Sequence, residues 1–204
     1  MKDKLKNPLI QQYILEIALP VVGYFFFDWS ITIIAVFYLV DWFCAEIARN
    51  RRVFKVYINT KNSKQNGFIY SLMIGGFLFA LTFAWTYWNF EMRYADQLPK
   101  MYEELSVFAR EELWFLVPIV YLVYHLKDVM TFYAPRRFLK RDYQKMVKFQ
   151  LVELVIFSAL VIIGVLLWRM LEISDVLAII SFIILKIGFD ILVARVFDVK
   201  YKTP

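Results

Sequence analysis

The sequence predicts an all-α integral membrane protein with six transmembrane helices and one short amphipathic helix outside the membrane. Three observations support this prediction: 61% of the 204 residues are hydrophobic, the mean hydropathy is +0.55, and apolar stretches recur along the chain. Soluble domains are nearer half apolar, and a soluble chain this apolar would expose patches that aggregate. We therefore predict that residues 1–204 form a single six-helix transmembrane domain.

Each predicted span holds about 20 mostly apolar residues, the length needed to cross the hydrocarbon core. The first span contains Glu16 and Pro20, and proline is tolerated in a membrane helix when neighbouring groups satisfy the freed carbonyl. The six predicted spans are 9–27, 29–48, 67–90, 113–133, 147–171 and 175–197.

The loop 91–112, between the third and fourth spans, has a helical pattern of its own. Met101, Leu105 and Phe108 recur at helical spacing, and Pro99 suits the first turn of a helix. We predict a short outer amphipathic helix that begins near Pro99 and runs almost continuously into the fourth span.

Charge divides the loops into two sets. Segments 49–64 and 136–148 each carry six basic residues and at most one acidic residue, whereas loop 91–112 carries six acidic residues and three basic ones. Because Lys and Arg resist translocation, the basic loops are expected in the cytoplasm. The sequence thus predicts a multi-pass protein of the cell inner (plasma) membrane with cytoplasmic N- and C-termini. Its net charge of +6 comes from these clusters, so no nucleic-acid partner is expected.

The even-numbered spans end alike, which suggests three repeated helical hairpins. Aligning Asp41, Asp128 and Asp190 places Arg49 and Arg136 each eight residues after the aligned acid, whereas the third repeat departs from this pattern. The alternative is that any short cytoplasmic helix end has this composition.

Three short motifs carry a resemblance to a known group. They are the LKIGFD stretch at 185–190, the Tyr38 and Asp41 pair, and the Lys186 and Asp190 pair. With the six-span architecture, they resemble an uncharacterised family of prokaryotic multi-span membrane proteins, a domain of unknown function. The resemblance implies the fold and carries no activity.

Several ionisable residues fall within the predicted spans, where each charge is costly, and all lie in the cytoplasmic half. Such a polar cluster either binds a cation or relays protons, or else forms an ion-pair network that fixes helix packing. We predict at least one carboxylate–lysine contact between helices, with Lys186 and Asp190 also able to pair locally. The members are Asp41, Glu46, His125, Lys127, Asp128, Glu153, Lys186 and Asp190.

Two further sets of residues are candidates for contacts. Gly76, Ala80 and Ala84 recur every fourth residue, a spacing that lets helices approach closely within one chain or between protomers. Basic residues at the cytoplasmic rim are candidates for contact with anionic lipid or with a partner. They are Arg49, Arg51, Arg52, Arg136, Arg137, Lys140 and Arg141.

The sequence argues against enzymatic chemistry. Cys44 and His125 are the only Cys and His, too few for a protein-ligated zinc site. There is no glycine-rich phosphate loop and no HExxH motif, so no catalytic residue, metal or cofactor is predicted.

Three functions remain. The first is a small accessory or interaction protein that binds a protein partner or a second copy of itself within the bilayer. The second is an oligomeric ion channel or a proton- or cation-coupled transporter that uses the polar cluster. The third is an anionic-lipid-binding membrane protein.

Overall fold

A computed structural model of the chain describes residues 8–60 and 66–201, and their side chains except at 8–13, 15–16, 60, 66–68, 190 and 194–201. Within these ranges the chain forms seven α-helices and no strand. The helices are α1 (Pro8–Phe26), α2 (Ile31–Thr60), α3 (Asn66–Arg93), α4 (Leu98–Glu111), α5 (Leu113–Asp128), α6 (Tyr143–Met170) and α7 (Asp175–Tyr201).

Five of the described helices are long and apolar enough to cross a membrane, which indicates a multi-pass membrane protein. Their membrane-crossing stretches are Ile31–Asn59, Ile69–Arg93, Leu113–Tyr133, Tyr143–Met170 and Asp175–Val193. In α1 the apolar stretch among the described side chains is Ile17–Phe26, which is shorter than a crossing.

Helix α2 is the centre of the bundle, because it contacts each of the other six helices. In α2, 56% of the most apolar stretch is buried, compared with 17–33% in the other four spanning helices. Its 30 residues make it about 45 Å long at 1.5 Å per residue. The predicted end at residue 48 is therefore wrong. The helix continues because Val53 and Val56 are buried against Phe132 and Tyr143, while the basic residues take its other sides.

The two most extensive helix contacts are α3 with α6 and α2 with α5. Both pairs are parallel, because their contacts move toward higher residue numbers on both helices. In the pair of α2 and α5, Asp41 contacts Tyr124 and Arg52 contacts Asp128. In the pair of α3 and α6, Trp85 contacts Ile162 and Arg93 contacts Trp168. The pairs join helices of different predicted hairpins, and the bundle is therefore held together across hairpins.

Helix α3 meets α6 through small and polar residues spaced four and seven apart. Ser71, Gly75, Thr82 and Asn89 are all buried, and a Cβ at Gly75 would lie 3.4 Å from Leu154 Cδ1. This heptad-like stripe lets the two backbones approach closely.

The stripe of Gly76, Ala80 and Ala84 lies on a different side of α3 from this contact. All three residues are exposed, and a Cβ at Gly76 would meet nothing within 4 Å. The stripe therefore makes no close helix contact within the described chain, and its role between protomers stays a prediction.

The amphipathic helix α4 includes Pro99 in its first turn, and a single residue separates its end from the start of α5. The one-residue break is at Glu112, whose backbone N–H still donates to the carbonyl of Phe108. Phe108 is buried edge-on against Trp29, with ring centroids 5.6 Å apart. Helix α4 is thereby anchored to the start of α2.

The end of the bundle that carries loop 91–112 is called the acidic end, and the opposite end is called the basic end. At the acidic end Arg93 closes the turn between α6 and α7, donating to the carbonyls of Trp168 at 2.5 Å and Ile173 at 2.7 Å. Tyr94 donates to Asp175 at 2.8 Å. Burial raises the pKa of Tyr94, and the hydrogen bond to Asp175 raises it further.

Candidate functional site

The candidate site is built along one helix. Asp41, Glu46, Arg49 and Arg52 occupy successive turns of α2, and they extend over eleven positions, or about 16 Å. Because other helices surround α2, each of these side chains contacts a residue of a neighbouring helix. Three polar groups result, each defined below by its carboxylate.

The first group surrounds Asp41. Lys186 of α7 places its Nζ 2.9 Å from Asp41 Oδ2, and Tyr124 of α5 donates its hydroxyl to Asp41 Oδ1 at 3.0 Å. The side chains of Lys186 and Asp41 are only 6% and 3% exposed. The predicted carboxylate–lysine contact between helices is thus present, and it ties α2, α5 and α7 together at one point.

The second group surrounds Glu46 and links α2 to α6. Arg49 Nη1 lies 3.1 Å from Glu46 Oε2, and Arg49 Nη2 lies 3.2 Å from Glu153 Oε1. Gln150 donates to Glu46 Oε1 at 2.6 Å and to Asn50 Oδ1 at 3.1 Å. The guanidinium therefore lies between two carboxylates, with two amides completing the network.

The third group surrounds Asp128 at the end of α5. Arg52 Nε lies 3.6 Å from Asp128 Oδ1, and Asp128 is buried. The next five residues, Val129–Tyr133, form a π-helix before the chain turns at Arg136, which has a φ of 54°. Single π-turns inside α-helices are frequent at functional sites, so this segment is the irregular part of the site.

His125 lies in a more exposed setting than the three carboxylate groups. Arg51 Nη1 lies 3.2 Å from His125 Nδ1 and also contacts the Tyr121 hydroxyl, and the Tyr121 and His125 rings are stacked. This arrangement puts His125 next to a cation. The neighbouring Lys127 places its Nζ 5.7 Å from the centroid of the Tyr124 ring.

The residues that were predicted as one polar cluster thus form several neighbouring groups along α2. Asp41 and Lys186 are together, Glu46 and Glu153 share Arg49, and Asp128 pairs with Arg52. The side chain of Asp190 lies outside the described residues.

Three residues of the site escaped the sequence prediction, namely Asn50, Tyr124 and Gln150. Their side chains are neutral, so a search for charges within apolar stretches does not find them. Their spacing is the signal that could have found them, because Asn50 lies four residues after Glu46 and Gln150 lies three before Glu153, on the same helix faces.

The predicted basic rim divides into two sets. Arg49 and Arg52 are partly buried and form the internal ion pairs described above. Arg136, Arg137 and Lys140 are exposed and remain available for an external contact. Arg51 is also exposed but contacts Tyr121 and His125, and Arg141 is half-buried.

Two apolar cavities lie toward the acidic end. The first, of about 160 Å³, is lined by α2, α3, α6 and α7, and the second, of about 180 Å³, by α2, α3 and α4. Both are partly open to the surroundings. Neither is lined by Asp41, Asp128 or Lys186. Among the described residues, no three His, Cys, Asp or Glu side chains come together as a metal site.

Comparison of the chain with protein-family models, with curated proteins and with solved structures gave no match.

Proposed function

We propose that this protein acts without catalytic chemistry, as a small accessory or interaction subunit in the membrane. One observation carries the proposal: each described carboxylate of the polar cluster has a basic partner. Asp41 pairs with Lys186, Glu46 and Glu153 with Arg49, and Asp128 with Arg52. Carboxylates held in pairs fix helix positions, whereas a conduction path needs groups that exchange partners with an ion.

The proposed topology has six spans, with the basic end and both termini in the cytoplasm. The loop charges support this orientation. The parallel pairing of α2 with α5 and of α3 with α6 supports three repeated hairpins, because helices at equivalent positions pack together. The test is an Asn62→Cys variant in a Cys44→Ala background, treated with a membrane-impermeant maleimide. Labelling only after the cytoplasmic face is opened is expected, and labelling of intact cells from outside would overturn the orientation.

The exposed basic residues are the proposed contact surface for the partner. Arg136, Arg137 and Lys140 lie together in the turn after α5, and Leu139 beside them is 61% exposed. A basic turn with an exposed apolar side chain suits an acidic protein surface at the membrane boundary. A covering of anionic headgroups is the alternative.

The experiment is purification in mild detergent with quantitative identification of bound proteins and lipids. The charge reversal Arg136→Glu/Arg137→Glu/Lys140→Glu is expected to release a stoichiometric protein, while Lys100→Glu at the acidic end is expected to leave it bound. Loss of anionic lipid alone would favour the lipid-binding function. A binding partner that survives the triple reversal would place its docking surface elsewhere.

A channel or coupled transporter is the second candidate, and the Asp128 group favours it. This is the longest of the buried pairs, at 3.6 Å, Arg52 is 26% exposed, and a π-helix follows. Reconstituted vesicles with a pH-sensitive dye distinguish the two proposals. Proton or cation flux above that of empty vesicles, abolished by Asp128→Asn, would establish transport and defeat the accessory function as the main one.

A further inference from the structure

Arg51 is an exposed cation on α2, and two side chains of α5 hold it in place. Its Nη1 lies 3.2 Å from His125 Nδ1 and donates to the Tyr121 hydroxyl. Its Cζ lies 5.7 Å from the centroid of the Tyr121 ring, which is stacked with the His125 ring. The carboxylate of Asp128, one turn further along α5, is paired with Arg52. Arg51 is therefore an oriented cation that makes no ion pair with a described carboxylate.

The cluster of Arg51, Tyr121 and His125 uses its acceptors internally and keeps its donors. A guanidinium only donates, so His125 Nδ1 accepts, and the hydrogen of the neutral ring lies on Nε2. The Tyr121 oxygen also accepts from Arg51, which leaves its own hydroxyl hydrogen to donate. Arg51 Nε and Nη2 make no hydrogen bond to a described residue. The groups that remain are N–H and O–H donors around a positive charge, and their complement is an anion that only accepts.

Lys55 adds a second cation on the same face of α2, four positions after Arg51. Its Nζ lies 5.2 Å from the centroid of the Phe138 ring, and it makes no ion pair with a described carboxylate. A phosphodiester offers acceptor oxygens and binds the planar fork of a guanidinium through two N–H groups. The ammonium group of a zwitterionic headgroup would instead meet two cations. The charges therefore favour a phosphate whose headgroup carries no cation.

The cluster lies at the edge of the hydrocarbon layer. The membrane-crossing stretch of α2 begins at Ile31, and Arg51 comes twenty positions later. This separation corresponds to about 30 Å, the thickness of the hydrocarbon core. Beside the two rings on α5, Leu122 and Leu126 are 52% and 49% exposed. Exposed leucines on a membrane-crossing helix contact acyl chains, so an anion bound to Arg51 lies where the headgroup of a lipid meets its acyl chains.

We propose that Arg51, oriented by Tyr121 and His125 and assisted by Lys55, binds the phosphodiester of an anionic phospholipid in the leaflet at the basic end. The side chains supply donors and positive charge to the headgroup, and the exposed leucines of α5 contact its acyl chains. These residues are not the ones proposed to contact a protein partner. Loss of the partner and loss of the lipid are therefore separate results.

The single histidine of the chain provides the measurement. Because His125 is the only His, its imidazole resonances in an NMR spectrum report on this site alone. The full chain, with isotope-labelled histidine in dodecyl maltoside, is titrated with short-chain phosphatidylglycerol, with phosphatidylcholine of the same chains and with inorganic phosphate. A saturable shift is expected with phosphatidylglycerol. No shift with this lipid, or an equal affinity for phosphatidylcholine or for inorganic phosphate, would overturn the proposal.

Variants of Arg51 complete the test. Arg51→Gln removes the charge, so the affinity for phosphatidylglycerol should fall by roughly tenfold or more. The matched control Lys148→Gln removes another exposed cation at the basic end and should bind like the wild type. Arg51→Lys keeps the charge and loses the planar fork, so its affinity should lie in between, and it replaces Arg51→Gln should that variant fail to fold. Equal affinities of the wild type and the Arg51 variant, or an equal loss in Lys148→Gln, would overturn the proposal.

Discussion

Replacing Lys186 with Met removes the cation from the most deeply buried ion pair among the described residues. The Asp41 carboxylate is 3% exposed and 2.9 Å from Lys186 Nζ. In the variant it would keep the hydrogen bond from Tyr124, its other partner among the described side chains. Replacing Asp41 with Leu removes the Asp41 carboxylate from the Lys186 ammonium instead. Replacing both residues leaves an apolar pair of similar volume in place of two charges.

The magnitude follows from the burial of both groups. Removing one partner of a buried pair costs about 3–5 kcal/mol, whereas replacing both with apolar residues is often neutral or stabilising. The hydroxyl of Tyr124 loses its acceptor in the Asp41→Leu single variant and in the double variant alike, so this loss cancels in the cycle. Each single variant should therefore be less stable than the double variant, with a coupling energy of at least about 3 kcal/mol.

The assay is unfolding in mixed detergent micelles, followed by tryptophan fluorescence, for the wild type, the two single variants and the double variant. The matched control is Lys100→Met with Glu104→Gln on α4. That pair is separated by 4.0 Å, and its side chains are 79% and 32% exposed, so its coupling should stay below about 0.5 kcal/mol. Additive effects at Asp41 and Lys186, within about 0.5 kcal/mol, would show that the ion pair does not hold α2 to α7.

Three further outcomes are expected. Leu105→Asp should destabilise the protein in the same unfolding assay, because Leu105 is half-buried on α4. The control variant Ser106→Asp, on the exposed face of α4, should behave like the wild type. Equal effects of the two variants would mean that α4 does not pack against the bundle. Gly75→Leu should lower the free energy of unfolding by about 1–3 kcal/mol, because the added side chain overpacks against α6. Gly76→Leu should leave it unchanged or raise it by up to about 1 kcal/mol. If Gly76→Leu were the more damaging variant, the face of α3 that packs against α6 would not be the one that contains Gly75. Stability should fall as pH rises above 10, the ordinary pKa of tyrosine, because the folded state holds Tyr94 neutral and raises its pKa. The test compares the free energy of unfolding at pH 8 and pH 11 in the wild type and in Tyr94→Phe. If both proteins lost the same stability between these two pH values, Tyr94 would not be the cause.

The all-helical fold class and the positions of the helices could be predicted from hydropathy, because the hydrocarbon core imposes a length and a composition on any segment that crosses it. The extension of α2 to Thr60 could not. Arg49, Arg51 and Arg52 look like a cytoplasmic loop in a linear reading, yet Val53 and Val56 continue the buried face of the helix. Only the packing of α2 against α5 and α6 reveals this.

The polar cluster shows a similar division. The presence of buried charges could be predicted from the composition, whereas the partner of each charge could not. Local spacing predicts pairing of Lys186 with Asp190, whose side chain lies outside the described residues. The contact of Lys186 with Asp41, which is 145 positions earlier in the chain, could not be predicted from spacing. The choice between neighbouring faces of α3 is equally hidden, since Gly75 and Gly76 differ by one position and only Gly75 meets α6.

The Asp41–Lys186 pair also constrains how the protein is made. Helix α2 leaves the ribosome well before α7, so Asp41 enters the bilayer while its cation has yet to be synthesised. During that interval the carboxylate has to be protonated, hydrated or shielded by the insertion machinery. A nascent chain that stops before α7 would retain Asp41 in the membrane without its partner Lys186.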